Sequence, residues 1–317
     1  MNIIRGIAAI PKGLANSVVT IGNFDGVHLG HQELLKRVIR RAAEMNGVSV
    51  VITFEPHPAK VLRPERAPRQ LISLQEKIEL FQSYGINVVI CVEFTPEFAG
   101  TSPDEFAEDL LCKKIGARII IVGASYKFGK GQSGDIDYLR QKGKMLGFEV
   151  EVAEPVEMGG GRVSSSRIRE HLSKGEVDTA AGLLGRYYSI DGVVMPGHHR
   201  GMLLGYPTAN IYTVDEAIPK SGIYAVKVLR GHMILEGACY IGNQPTFAGE
   251  RIGIEVYLFD FNEQLYHEHL TVQFVKMIRD EKRFDNKEEL VRQIKDDVAK
   301  AKQVLGIKAM SGRSNEQ

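Results

Sequence analysis

The chain has 317 residues, more than one hydrophobic core usually organises, so two domains are the default expectation. Its 44% hydrophobic and 25% charged content is that of an ordinary globular protein, which excludes a collagen-like or disordered chain. With 40 basic and 39 acidic side chains the net charge is +1, so no global field draws in nucleic acid or a membrane surface, and a small anion needs only local charge.

From residue 17 to about residue 152, short apolar runs alternate with amphipathic segments, the pattern of a parallel sheet covered by helices. The predicted strands are Val18–Ile21, Val48–Phe54, Val88–Phe94, Arg118–Val122 and Phe148–Val152. Directly after the first, the chain reads Gly22-Asn23-Phe24-Asp25-Gly26-Val27-His28-Leu29-Gly30-His31 and turns into helical periodicity, with Leu34, Leu35, Val38, Ile39 and Ala42 as a packing stripe. Two histidines three apart at a strand-to-helix junction, beside the helix's first free N–H groups, suit an anion such as a nucleotide's phosphates. A bare His-x-x-His is weak by itself, because a solvated pair reads the same. Ser73-Leu74-Gln75-Glu76 and Ser102-Pro103-Asp104-Glu105 have capping-box spacing and mark helix starts.

A glycine-rich segment, Val122 to Gly131, follows the fourth strand. In a parallel sheet it lies on the ligand-binding side with His28 and His31, although a plain surface loop fits equally well. It does not match the Gly-x-x-x-x-Gly-Lys-Ser/Thr phosphate loop. Next, Ser164, Ser165 and Ser166 open a helix predicted over residues 166–173, with Arg167 and Arg169 in its first turns. Hydroxyls, N–H groups and guanidinium donors suit a triphosphate, and an ordinary cap with solvated arginines is the plainer alternative.

Near residues 183–190 the texture changes. A short helical stretch lies between Gly175 and Gly185, and then five strands alternate: Tyr188–Met195, Gly222–Leu229, Met233–Ile241, Ile252–Leu258 and Leu270–Ile278. Their short turns read as an antiparallel barrel or sandwich. Leu290, Ile294, Val298, Ala301 and Leu305 give a final helix an apolar stripe, and a polar tail closes the chain. Within this half, Gly205-Tyr206-Pro207-Thr208-Ala209-Asn210 reads as a turn, although the Thr208 hydroxyl and Asn210 carbonyl are ligands that Mg²⁺ accepts. Glu255 sits in an alternating strand, most simply facing solvent. The histidines at 198, 199, 267 and 269 lack a third ligand at metal spacing. Cys91, Cys112 and Cys239 form no Cys-x-x-Cys and read as reduced thiols. No apolar stretch reaches membrane length and the N-terminus lacks a signal peptide's core, so a cytoplasmic protein is expected.

Gly22 to His31, the loop after the fourth strand and Ser164 to Arg169 together resemble the nucleotidyltransferase superfamily with its His-x-Gly-His signature, specifically the FAD synthetase module. The resemblance implies a Rossmann-like α/β domain over residues 1–182. It also implies an ATP site lined by Gly22, Asn23, Phe24, Asp25 and Gly30, with His28 and His31 catalytic and Ser164, Ser165, Ser166, Arg167 and Arg169 reaching the phosphates. Where that family usually has Asp or Asn then Phe in the glycine-rich loop, this chain has Ser125 and Tyr126.

Residues 183–306 resemble the riboflavin kinase domain through the Gly-Tyr-Pro-Thr-Ala-Asn run, the Gly-Ile-Tyr-Ala-Val strand at 222–226 and Ile-Gly-x-x-Pro-Thr-Phe at 241–247. This implies an antiparallel barrel with a terminal helix and a tail at 307–317. ATP then lies at Gly205, Pro207, Thr208 and Asn210, Mg²⁺ on Thr208 and Asn210, and Glu255 is the base for riboflavin's 5′-hydroxyl. Met202 replaces a usual arginine after Arg200-Gly201, and Tyr240 a usual asparagine. The whole chain thus resembles the bacterial bifunctional riboflavin kinase/FAD synthetases. It is expected to use riboflavin, FMN and ATP with Mg²⁺, to release FMN and FAD, and to engage neither nucleic acid nor membrane, its oligomeric state left open. A chain with one active domain, or a flavin-sensing regulator without turnover, are the rival readings.

Overall fold

The computed structural model describes residues 1–307 except 12, 13, 15, 198–203, 214, 215, 247 and 248, and only the backbone of 244–251. The expectations placed on Arg200, Gly201, Met202, Phe247 and most of the tail therefore lie outside the described residues. The chain divides into two compact units, Met1–Ser165 and Ser166–Gln317. The break falls inside a helix that the sequence reading assigned whole to the first domain.

The first unit is built on a six-stranded sheet. Its strands are β1 (Asn2–Arg5), β2 (Ser17–Ile21), β3 (Val48–Glu55), β4 (Val88–Glu93), β5 (Ala117–Gly123) and β6 (Glu149–Ala153), in the order β1-β4-β3-β2-β5-β6, all parallel. Every residue of β2 is buried, as expected of a central parallel strand covered on both faces. The helices that cover the sheet include α1 (Leu29–Glu44), α3 (Leu74–Tyr84) and α6 (Ile136–Leu146), with a short α2 (Pro58–Leu62) after β3. α1 buries Leu34, Leu35, Val38 and Ala42 against β2 and β3. Ser73 caps α3, and Ser102 forms a full capping box with Glu105 at the start of α5 (Pro103–Glu105), after the single-turn α4 (Pro96–Ala99). The short β1 was not predicted. Only Ile4 of its four residues is buried, so it carries no alternation to read, and it exists because β4 supplies the pairing. The chain order reverses at β2, whose neighbours β3 and β5 run outward in opposite directions. A crevice at the carboxyl ends of β2 and β5 is the usual ligand position in such a sheet. A two-stranded hairpin, β7 (Glu157–Met158) with β8 (Gly161–Arg162), precedes α7 (Ser165–Lys174).

The second unit holds the rest of α7, then α8 (Val177–Leu184), which packs on strands of a closed six-stranded barrel. Those strands are β9 (Tyr188–Met195), β10 (Ala209–Tyr212), β11 (Gly222–Arg230), β12 (Met233–Thr246), β13 (Gly249–Leu258) and β14 (His269–Asp280), ordered β10-β13-β12-β11-β14-β9. Five were predicted. The sixth, β10, starts within the run read as a turn, and it closes the barrel by pairing with both β9 and β13. Ile254, Val256 and Leu258 are buried while Glu255 and Tyr257 are half-buried, so alternation assigns the faces of β13 correctly. The last helix, α9 (Lys287–Leu305), packs Ala301, Val298 and Leu305 with Ala225, Ala238, Tyr257 and Phe259 of the barrel unit.

Candidate functional site

In the first unit the candidate site grows from the turn between β2 and α1. Phe24 and Val27 both take positive φ, 49° and 37°, as does Gly26 at 82°. A β-branched residue there is strained, and the loop is held in place by burial of Phe24 and Val27 and by Gln32, whose side-chain amide donates to the Val27 carbonyl at 2.9 Å. The turn delivers His28 to the N-cap of α1, where its Nδ1 accepts the His31 N–H at 3.3 Å. An accepting Nδ1 leaves the proton of a neutral His28 on Nε2, so that edge of the ring is a donor. The two imidazoles stack with centroids 3.6 Å apart and planes 14° from parallel. Gly30 is what permits this: a Cβ there would come within 3.3 Å of the His28 ring. Burial, reinforced by the neighbouring His28 and by Lys77 and Arg162, lowers the pKa of His31 well below its ordinary value. His31 is therefore neutral at physiological pH, and its Nδ1 is buried without a hydrogen-bond partner.

Asp25, almost fully buried, accepts the Leu71 N–H at 2.8 Å and so ties the turn to the segment entering α3. The Ser165 hydroxyl donates to the Asp25 carbonyl at 2.8 Å, which brings the serine motif against the histidine motif across 140 residues of sequence. Gly22 lies beside the Phe24 ring, and Gly30 also approaches the Val163 carbonyl. Thus Gly22, Phe24, Asp25, His28, Gly30, His31 and Ser165 converge, with Asn23 and Ser164 adjacent in the chain. Ser166, Arg167 and Arg169 occupy the following turns of α7, in the second unit.

The sequence reading missed three features of this unit. Arg162 donates to the Ser125 hydroxyl at 3.1 Å, and its charge is felt by His31. Ser125, which departs from the family's usual residue, is thereby joined to the site. Phe54, Phe94 and Phe98, at the ends of β3 and β4 and in α4, form a half-buried aromatic wall with ring centroids 5.7–6.0 Å apart. Lys77 on α3 is only 3% exposed. Each aromatic and basic residue is unremarkable in sequence, and only the sheet order brings them to one edge.

In the second unit, β10 pairs Asn210 directly opposite Glu255 of β13, so their side chains share a face. The Thr208 hydroxyl donates to Glu255 Oε2 at 3.1 Å. Gly205, at φ 83°, turns the chain toward Pro207, and Gly197 lies so close to the Asn210 amide that a side chain there would overlap it. Pro207, Thr208 and Asn210 line a cavity of about 300 Å³ with Gly197 and residues of the loop 261–266. Tyr240 stands opposite Glu255 on its other side, and its hydroxyl bonds Glu281 at 2.5 Å. Two hydroxyl or amide oxygens beside a carboxylate, at the mouth of a cavity, can hold a nucleotide-borne cation and take a proton from an alcohol. Among the described residues no group of three His, Cys, Asp or Glu is placed to cage a metal ion.

A Rossmann-like sheet with stacked histidines at its switch point, followed by a closed barrel with Thr208, Asn210 and Glu255 beside a cavity, defines a two-unit chain built for group transfer from a nucleotide. The family described as FAD synthetase matches residues 10–167, and that described as riboflavin kinase matches residues 184–305. Relatives named bifunctional riboflavin kinase/FMN adenylyltransferase from Buchnera aphidicola and Escherichia coli K12 are each 37% identical over 97% of this chain, and over 100% and 99% of their own lengths. A crystal structure from Streptococcus pneumoniae, described as a macrolide-efflux protein, is similar at TM-score 0.85 and 32% identity, covering 94% of this chain and 97% of that one. In the present chain no helix among the described residues is long and apolar enough to cross a membrane. The chain belongs to the bifunctional riboflavin kinase/FMN adenylyltransferase family.

Proposed function

We propose that the chain runs two ATP-dependent steps in the cytoplasm, its C-terminal domain phosphorylating riboflavin to FMN and its N-terminal domain adenylylating FMN to FAD with release of pyrophosphate. The working boundary is at residues 182 and 183, with the tail from 307 outside both domains. The observation that carries the reading is the pair of convergences: stacked His28 and His31 at the switch point, and Thr208 and Asn210 against Glu255. The free thiols of Cys91, Cys112 and Cys239 accord with a reducing compartment.

In the adenylyl transfer the nucleophile is a phosphate monoester, already anionic near neutral pH, so no general base is required. The work left to the protein is positioning and charge neutralisation. His28 donates from Nε2 to charge developing on the α-phosphate and the departing pyrophosphate, and neutral His31 supports it by stacking. The N–H groups of Leu29 and Gly30 at the start of α1, beside Gly22, Asn23, Phe24 and Asp25, add donors. Ser164, Ser165, Ser166, Arg167 and Arg169 take the outer phosphates, and Arg162 tied to Ser125 adds a further cation. Phe54, Phe94 and Phe98 offer a stacking wall for the flavin ring system.

The kinase step differs because its nucleophile is a neutral alcohol. Glu255 accepts the proton of riboflavin's 5′-hydroxyl as the oxygen attacks the γ-phosphorus of ATP, and ADP leaves. Gly205, Pro207, Thr208 and Asn210 receive the nucleotide. The donor set fits Mg²⁺, a hard ion that keeps waters and phosphate oxygens and needs few protein ligands, here the Thr208 hydroxyl and the Asn210 carbonyl. When bound, Mg²⁺ neutralises charge on the transferring phosphates.

The test is incubation of the full chain with riboflavin, ATP and Mg²⁺, followed by chromatography of the flavins. FMN then FAD is the expected sequence, and chelation of Mg²⁺ abolishes it. FMN without FAD would leave a single-activity kinase, and conversion of FMN but not riboflavin a single-activity adenylyltransferase. Flavin binding with no product at all would identify a sensor.

A further inference from the structure

Lysine is among the side chains least often fully buried, because its ammonium loses hydration that few protein sites replace. Lys77 is 3% exposed, on the face of α3 that also buries Ile78 and Phe81. Phe81, one turn further along that face, meets the Phe24 ring edge-on at 5.4 Å, and Phe24 in turn meets the His31 ring at 5.1 Å. Lys77 is thus placed one helical turn from the chain of rings that leads to the histidine pair. Its charge is felt by His31, and it in turn feels Asp25, Glu55 and Cys91. Glu55 ends β3, and Cys91 lies on β4 opposite Thr53 of β3. Lys77 is therefore within electrostatic reach of groups at the carboxyl ends of β2 and β3. Burial lowers its pKa while Asp25 and Glu55 oppose the shift. Glu55 Oε2 is itself buried without a hydrogen-bond partner. This part of the first unit thus holds a buried lysine and a buried carboxylate oxygen without a hydrogen-bond partner, an arrangement poor for stability alone.

In-line transfer at the α-phosphorus places the incoming phosphate opposite the departing pyrophosphate. His28, Ser165 and the first turn of α1 hold the β2 side of the site. The β3 and β4 side carries the aromatic wall of Phe54, Phe94 and Phe98, of which Phe54 directly precedes Glu55. The incoming anion needs a cation on that second side, and neutral His31 does not supply one. We propose that Lys77 is a substrate-binding residue of the adenylyl-transfer site, its ammonium holding the phosphate of FMN as that phosphate meets the α-phosphorus of ATP. This rests on the adenylyl-transfer reading above. An FMN phosphate oxygen bonds to the α-phosphorus, the bond from that phosphorus to the bridging oxygen breaks, and the electron pair leaves with pyrophosphate. Lys77 neither gains nor loses a proton.

The test compares wild type, Lys77→Met and Lys77→Arg in FAD synthesis from FMN, with riboflavin phosphorylation by the same proteins as internal control. Lys77→Met is expected to lower kcat/KM for FMN by about 30-fold or more, the scale of one hydrogen bond between charged groups. Its KM for ATP stays within about threefold of wild type, Lys77→Arg retains most of the FMN efficiency, and the kinase rate is unchanged in both. An unchanged kcat/KM for FMN, an equal rise in KM for ATP, or an arginine variant as damaged as the methionine variant overturns the proposal. A crystal structure of the wild-type chain with FMN and an ATP analogue bearing a methylene between its α- and β-phosphorus decides the matter without any variant. The Lys77 Nζ is expected at about 2.8 Å from an FMN phosphate oxygen, and a separation too long for a hydrogen bond overturns the proposal. A wild-type chain that makes no FAD would instead overturn the adenylyl-transfer reading itself.

Discussion

At position 30 the absence of a side chain lets the His28 ring lie over the first turn of α1, where it caps the helix and stacks on His31. The spacing in sequence suggests an anion pocket, but not that one imidazole is a cap and the other a buried neutral ring. The two substitutions accordingly have different signatures. His28→Ala removes a preorganised donor and is expected to slow FAD formation by about 10²- to 10³-fold while leaving FMN formation intact, as followed by flavin chromatography. His31 instead governs stability against pH. Its pKa is lowered in the fold, so the unfolded chain takes up a proton near pH 6.5 that the folded chain refuses. The stabilisation is fully present above that pH and is lost on acidification, by up to about 1.4 kcal/mol per unit, until the folded ring itself titrates. Urea unfolding at pH 7.5 and 5.5 is expected to show this loss in wild type and a smaller one in His31→Gln; equal losses would assign the effect to another group.

At the scale of elements, β10 carries the most consequence. Four residues preceded by glycine and proline offer no periodicity, so the run reads as a turn. The strand forms because β9 and β13 present unpaired edges on either side of it, and closure of the barrel satisfies both. That pairing register, not the spacing of Thr208 and Asn210, is what sets them against Glu255. Alternation along β13 correctly put Glu255 on the outer face but could not say who its neighbours were. The packing of α9 has a comparable anchor. Asp297, 4% exposed at its side chain, accepts three hydrogen bonds of 2.8–3.0 Å from the Arg279 guanidinium on β14 and one of 3.0 Å from Gln293. Asp297→Ala leaves a partly buried guanidinium without its counter-ion. It is expected to destabilise the second unit by about 3 kcal/mol, read as a lower denaturant midpoint for loss of kinase activity.

At the scale of the whole molecule, the two sites draw on separate elements, with FMN as product of one and substrate of the other. His28→Ala and Glu255→Gln proteins are each expected to fail at making FAD from riboflavin, the first accumulating FMN and the second leaving riboflavin untouched. Mixed in one vessel they are expected to restore FAD, because FMN released by the first is adenylylated by the second. Failure of the mixture, with each single step intact, would mean that FMN passes only within one chain.

The sequence by itself determined the element types over most of the chain and the family, because periodicity, capping residues and short motifs are local properties that survive in one dimension. It did not reveal β1 or β10, whose few residues become strands only through their partners. Nor did it single out Lys77, Arg162 or the phenylalanine wall, since a lysine on an amphipathic helix reads as solvated until the sheet order buries it. Tertiary structure decided which charges lost their water and which side chains met, because burial and cross-strand register depend on contacts between residues far apart in the chain.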